Sequence, residues 1–316
     1  MAAKGERARV VVLGEKLVAQ RCLDTLHGRP DTQVAAVVVA ENDWQADLGQ
    51  WAKKRGVRVL RGNAKEHTAA IRELSPDFLF SIQYRYLVRP ELLKIPRRGA
   101  INLHFGLLPR YGGCYPVAWA ILNGEVRAGA TLHYMSEGFD EGDIIAQEAV
   151  RVGKDTTARG LYDALTTAAA SLFRRTYPAL LRGTAPRVAQ DPKKRLYYAK
   201  DSIDFAAGRW VDWTKDAPTV HRQIRAFSFE PFQKPMSVLR WPGPVGEAQV
   251  AVEGARLATT TRRGDAGEVL SATPAGDLKV ATGRSGAVFV AKIDGKPAAQ
   301  FLKGRTARFG EARFTR

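Results

Sequence analysis

Between Arg9 and Val150, short β-branched runs alternate with helix-length stretches, and this alternation limits the architecture more than any other feature of the chain. Arg9–Leu13 is a compact apolar run that stops at Gly14, and Glu15–Leu26 then reads as a helix. Gln33–Ala40, Val57–Leu60, Asp77–Ile82, Gly99–Phe105, Ala130–Met135 and Ile144–Val150 read as further strands. Asp43–Lys54, Lys65–Leu74 and Pro116–Leu122 read as helices between them. Such an order predicts an α/β unit, a Rossmann-like, mostly parallel sheet with helices on both faces. Ligands on these sheets bind beyond the carboxyl ends of the strands. Gly14 stands alone after the first strand, so neither a dinucleotide fingerprint nor a P-loop accompanies it.

Thr156–Leu181, rich in alanine and leucine, predicts a long helix that closes this unit. After helical Ala217–Phe227 the pattern changes to short strand-like runs separated by Gly and Pro: Ser237–Trp241, Glu268–Ser271, Leu278–Ala281 and Ala287–Ile293. That composition suits a small antiparallel barrel. The expected organisation is a first domain over residues 1–182, a basic linker over 183–204 and a smaller β-rich, OB-like domain over 205–316.

The net charge of +17 is unevenly spread. Residues 1–150 hold 20 Lys/Arg against 17 Asp/Glu, residues 151–200 hold 11 against 3, and residues 201–316 hold 18 against 12. Arg174, Arg175, Arg182, Arg187, Lys193, Lys194 and Arg195 concentrate the excess at the junction. Two readings stand side by side: a surface for phosphate or a polyanion, or a solvated face. Two cysteines, Cys22 and Cys114, exclude a disulfide framework and a cysteine-only zinc site. No histidine pair has metal-ligand spacing, so no metal is expected. No apolar run reaches membrane-spanning length and the first residues lack a signal-peptide core, which makes a reducing cytoplasm the expected location.

The most chemically pointed run is Ile101-Asn102-Leu103-His104-Phe105-Gly106-Leu107-Leu108-Pro109. On a strand, Asn102 and His104 project from the same face. Gly112-Gly113 then lets the backbone turn and leaves room for a ligand. Further on, Glu137-Gly138-Phe139-Asp140-Glu141-Gly142-Asp143 sets a carboxylate between glycines. An amide donor, an imidazole and a carboxylate make a kit for acyl transfer without a covalent enzyme intermediate. Glu141 and Asp143 compete with Asp140 for the carboxylate role, and His27, His67, His133 and His221 read as structural.

These motifs, INLHFGLLPRYGG followed by GATLHYMSEGFDEGDIIAQ, resemble the folate-dependent formyltransferases, which use 10-formyltetrahydrofolate. HRQIRAF at His221–Phe227 and the tail AQFLKGRTARFGEARF resemble the second domain found in several members. The resemblance implies an enzyme whose catalytic trio is Asn102, His104 and Asp140, with Asp140 either orienting His104 or taking a proton itself. It implies a folate slot near Phe80–Tyr86 and the Glu137–Asp143 loop, with Tyr84, Tyr86, Leu107, Pro109 and Gly138 as cofactor contacts. Phe80 and Tyr86 also read as ordinary core aromatics. Many members carry serine at the position of Gly106 and arginine at that of Gly112, so a phosphate contact by that arginine is lost here. Tyr115-Pro116 and Trp119 are more similar to members that act on nucleotide-linked amino sugars. Arg110, Tyr111 and Tyr115 are the candidate substrate contacts.

The expected reaction is therefore N-formylation of a small, anionic primary amine, with a nucleotide-linked amino sugar foremost and an amino acid or antibiotic precursor also open. Methionyl-tRNA formylation is the main alternative. The tRNA enzymes carry a basic insertion after the second strand, whereas Glu41–Leu48 here contains Glu41, Asp43 and Asp47 and no lysine or arginine. A non-catalytic nucleic-acid-binding role is disfavoured by the complete trio. The C-terminal part is expected to serve acceptor placement or assembly, a homodimer included.

Overall fold

The computed structural model describes residues 7–40, 46–242, 246–259, 264–283, 286–303 and 306–310. Most of the acidic stretch, residues 41–45, lies outside them, as do 304–305 and 311–316 of the tail. In chain order the first elements are β1 (Ala8–Gly14), α1 (Lys16–His27), β2 (Thr32–Val39), α2 (Leu48–Lys53), β3 (Arg58–Arg61), α3 (Thr68–Glu73), β4 (Phe78–Ile82), α4 (Pro90–Leu93) and β5 (Gly99–His104). There follow β6 (Gly112–Gly113), α5 (Pro116–Leu122), β7 (Arg127–Tyr134), β8 (Ile144–Arg151), α6 (Ala158–Arg182) and β9 (Tyr197–Tyr198). The chain divides into two compact units, Met1–Pro116 with Ala128–Val150 and Asp163–Tyr198, and Val117–Arg127 with Arg151–Tyr162 and Ala199–Arg316.

The first unit is the expected Rossmann-like sheet, in the order β3-β2-β1-β4-β5-β7-β8. β1, β2, β3, β4 and β5 pair in parallel, and β7 runs antiparallel to β5. Its central strands are apolar on both faces because both faces are covered. Val11, Leu13, Val38 and Leu79 join one buried cluster with Ile71 and Leu92. On strand β4, Phe78 and Phe80 meet Phe173 and Tyr177 of α6, with Phe80 and Phe173 edge to face at 5.0 Å. Phe80 is thus a core aromatic, 1% exposed.

The expected helix Lys65–Leu74 is divided into a 3-10 turn, Ala64–His67, and α3. Helix α2 is shorter than its pattern: Asp47 caps it by accepting from Gln50 N, which sets its start.

The second unit contains α7 (Phe205–Gly208), α8 (Ala217–Phe227), β10 (Met236–Arg240), β11 (Glu247–Leu257), β12 (Val269–Ala272), β13 (Leu278–Ala281), β14 (Ala287–Ile293), β15 (Lys296–Pro297), α9 (Ala298–Leu302) and β16 (Arg308–Gly310). Its sheet runs β12-β13-β14-β11-β10-β16, and an antiparallel bridge between Glu268 and Arg308 brings its two ends together. The curl encloses Val250, Val252, Val280, Val288, Val290, Ile293 and Phe309, capped by Val220 and Ile224 of α8 and by Trp213. Each such side chain contributes about 1.5–3 kcal/mol on full burial. Strand β11 was not among the expected runs: Glu247, Gln249, Glu253 and Arg256 break its apolar pattern, and Gly254 (φ +68°) interrupts it.

Candidate active site

The site grows from the pairing of β5 with β7. Asn102 lies opposite His133 and His104 opposite Thr131, so all four side chains share one face of the sheet. Beyond β5 the loop folds back on that face. The Thr131 hydroxyl, fully buried, donates to Gly106 O at 2.6 Å and accepts from Leu108 N at 3.2 Å. The Gln147 amide donates to Leu108 O and to Thr131 Oγ1 at 2.8 and 2.9 Å. Gly106 is enforced by space: a Cβ there would meet Tyr111 O and lie 2.7 Å from His104 Nε2. At Gly113 (φ +85°) a Cβ would run into the Tyr198 carbonyl, because β6 pairs with β9.

His104 Nε2 lies 2.6 Å from Tyr111 O. A carbonyl only accepts, so Nε2 carries the proton and, in the neutral ring, Nδ1 is bare. That Nδ1 faces Asp140 Oδ2 at 3.7 Å. His133 is held the opposite way round: Nδ1 donates to Tyr134 O at 2.8 Å, leaving Nε2 to accept from Asn102 Nδ2 at 3.2 Å. The second Asn102 N–H points at Asp140 Oδ1 at 3.3 Å, which also lies 3.4 Å from His133 Nε2. Both Asn102 hydrogen bonds are long for N–H donors, so the amide can redirect one of them at little cost.

Asp140 is the electrostatic centre. Its backbone is left-handed (φ +55°), and its Oδ2 accepts from Gly113 N at 2.8 Å. Burial acts to raise its pKa, but the positive charge that His104 and His133 carry once protonated, the hydrogen bond His133 Nε2–H then donates and the Gly113 N–H outweigh it and hold the carboxyl well below the usual range. The competing carboxylates point elsewhere: Glu141 pairs with Arg195 at 2.8 Å and Asp143 with Arg187 at 3.1 Å. Asn102, His104 and Asp140 are therefore brought together, with His133 as a fourth member that sequence reasoning had read as structural. The signal for it lies in the strand pairing: an antiparallel partner for INLHF in the register of β7 sets the histidine of TLHY opposite Asn102.

The expected folate contacts fall into two groups. Tyr84 and Tyr86 pack edge to face at 5.5 Å, and the Tyr84 hydroxyl donates to Gly62 O and accepts from Ala64 N. Burial pushes that phenol up to about 12. Leu107 and Pro109 instead line a cavity of about 560 Å³ with Leu108, Arg110, Lys193, Lys194 and Leu196. Gly138, half-buried, lies two residues before Asp140 on the same loop. Of the substrate candidates, Arg110 is on that cavity, Tyr111 is buried and stacks on Tyr198 at 6.0 Å, and Tyr115 is half-buried with a left-handed φ of +57°. His27 packs on Trp51, while His67 bonds Arg61 O and His221 bonds Ala255 O. Among the described residues, no group of three or more His, Cys, Asp and Glu is arranged to hold a metal ion, and no helix is long and apolar enough to cross a membrane.

Comparison with solved structures gives the same fold. WlaRD, a sugar 3N-formyl transferase crystallised with dTDP and 5-N-formyl-THF, matches 92% of this chain and all of its own at a TM-score of 0.71 and 19% identity. An N-formyltransferase from Helicobacter canadensis, in complex with folinic acid and dTDP-3-aminofucose, matches 90% of this chain and 98% of its own at 0.68 and 22% identity. HypX from Aquifex aeolicus, in complex with tetrahydrofolic acid, is matched over 48% of its length and 95% of this chain at 0.61 and 21% identity. The formyl transferase family model matches residues 8–176, and the model for the formyl transferase C-terminal domain matches residues 206–306. Since the first model alone takes in more than half of the sequence and the second follows it in order, the chain belongs to the formyl transferase family.

Proposed function

We propose that the protein transfers a formyl group from 10-formyltetrahydrofolate to the primary amine of a small anionic acceptor, a nucleotide-linked amino sugar first among them, in a reducing cytoplasm. The observation that carries this reading is the bare Nδ1 of His104, fixed by the Tyr111 carbonyl and turned toward a carboxylate that stays ionised. The relatives crystallised with folates and a dTDP-linked amino sugar support the choice of donor and acceptor.

In this reading the neutral amine attacks the formyl carbon, forming the new C–N bond as the carbonyl π pair moves onto oxygen. Asn102 turns an N–H toward that oxygen, a contact whose loss typically costs about 10²–10³ in rate. His104 Nδ1 takes the amine proton, and Asp140 stabilises the imidazolium that results. The same proton is then returned to the folate nitrogen as its bond to the formyl carbon breaks. Arg110, with Lys193 and Lys194 over the same cavity, supplies cationic groups suited to the acceptor's anionic part. Backbone groups and rings near Tyr84, Tyr86 and Gly138 form the folate slot, and the unit over 205–316 serves acceptor placement or assembly and not the chemistry.

The test is release of tetrahydrofolate from 10-formyltetrahydrofolate in the presence of a panel of dTDP-linked amino sugars, simple amines and methionyl-tRNA. Turnover with a small amine, lost by orders of magnitude in a folded H104A variant, is expected. Turnover of methionyl-tRNA alone, or wild-type turnover by H104A, would show the reading to be wrong.

A further inference from the structure

The segment between α6 and β9 reads in the sequence as a linker, yet it grips the loop that carries Asp140. Gln190 is half-buried between exposed neighbours, Ala189 and Asp191. Its Nε2 donates to Asp140 O at 2.8 Å and to Gly142 O at 2.7 Å. On either side of it, Arg187 pairs with Asp143, and Arg195 pairs with Glu141 and reaches Phe139 O. Asp140 needs such support. A left-handed backbone is costly for a residue with a Cβ, and it persists only where the surroundings fix it. With the peptide turned this way the carboxylate reaches Gly113 N, His104, His133 and Asn102 together.

We infer that Gln190 is a positioning residue for formyl transfer, its side-chain amide holding Asp140 in the left-handed conformation that aims the carboxylate at His104. This rests on the role proposed above for the trio, but not on the identity of the acceptor. One carbonyl that Gln190 binds belongs to Asp140 itself and the other to Gly142, so loss of these bonds acts on aim and not on substrate contact. Arg187 and Arg195 grip the side chains of Asp143 and Glu141, while Gln190 grips the backbone on either side of Glu141.

Three variants separate this from a general packing role. Gln190→Met keeps the length and removes the amide, Gln190→Glu sets a carboxylate against two carbonyls, and Gln190→Lys restores an N–H donor. Expected for Q190M is a fall in kcat of about 10–100-fold, the scale on which a misaimed catalytic group acts. KM for 10-formyltetrahydrofolate should stay within about twofold and Tm should hold close to wild type, with Q190E worse and Q190K partly rescued. Carboxylate ¹³C NMR, with the Asp140 signal assigned through D140N, gives a readout that needs no acceptor. The Asp140 signal should titrate at higher pH in Q190M than in the wild type, because its carboxylate no longer meets the histidines and Gly113 N together. An unchanged Asp140 titration in folded Q190M, or equal losses in Q190M and Q190K, overturns the inference. If no small amine is turned over but the NMR shift appears, the acceptor proposal fails and the role of Gln190 stands.

Discussion

Asp140 shows how one side chain couples chemistry to stability. Its native pKa is depressed, so the unfolded chain binds a proton more readily than the folded one does. The contribution of its carboxylate is complete at pH values above the unfolded value of about 3.9 and declines as pH falls through the ordinary carboxylate range toward the native value. D140N removes that linkage. The difference in unfolding free energy between wild type and D140N, followed by urea titration, should therefore shrink as pH falls from 7 toward 3; a difference independent of pH would contradict the assigned environment. A second residue-scale prediction concerns Gly106. A Cβ here would lie 2.7 Å from His104 Nε2 and crowd Tyr111 O, so G106S should displace the imidazole from its tautomer-fixing bond. Turnover should drop at least about tenfold, while a fully active G106S enzyme would mean that the loop yields freely. At this scale Asn102 and His104 were legible as neighbours on one strand face, whereas the choice of Asp140 over Glu141 and Asp143 came from the resemblance to the folate-dependent formyltransferases. The place of His133 beside Asn102 was not legible, because it depends on which strand lies opposite β5.

Among the elements, the clearest dependence is that of the β5–β6 loop on β7 and β8. Thr131 and Gln147 together satisfy Gly106 O, Leu108 N and Leu108 O, three backbone groups of an irregular segment that the sheet itself does not pair. Thr131→Val preserves shape and removes the hydroxyl. It should lower unfolding free energy by about 1–3 kcal/mol, since the buried Leu108 N and Gly106 O lose their partner. Denaturant titration measures this, and a stability equal to wild type would imply another partner for those groups. The strands of the parallel sheet were readable as apolar runs because burial on both faces leaves few polar residues in them, Asn102 and His104 of β5 being exceptions. The opposite holds for β11, which faces the core on one side only and carries Glu247, Gln249 and Glu253 along its length. The stretch 187–198 escaped for a third reason: its hydrogen bonds run through single side chains and a two-residue strand, features with no periodicity to read.

For the molecule as a whole, the excess positive charge is less available to a polyanion than the composition suggests. Of the junction cations, Arg175 pairs with Glu148, Arg187 with Asp143, Lys194 with Asp191 and Arg195 with Glu141. Two of these carboxylates are on the Asp140 loop, so part of the basic cluster holds the site in shape. Arg110, Lys193 and Lys194 do converge on one cavity, enough for two or three phosphate contacts. An extended nucleic-acid footprint of 6–10 such contacts loses about 10³–10⁵ in affinity between 50 and 200 mM salt. A small anionic acceptor held by two or three contacts should lose far less, at most about 10–40-fold over the same range. KM for a dTDP-linked amino sugar, measured across that salt series with and without excess tRNA, tests this directly. A shallow slope with no inhibition by tRNA is expected. A steep slope together with strong competition by tRNA would place the basic junction under a polyanion and turn the assignment toward the tRNA enzymes.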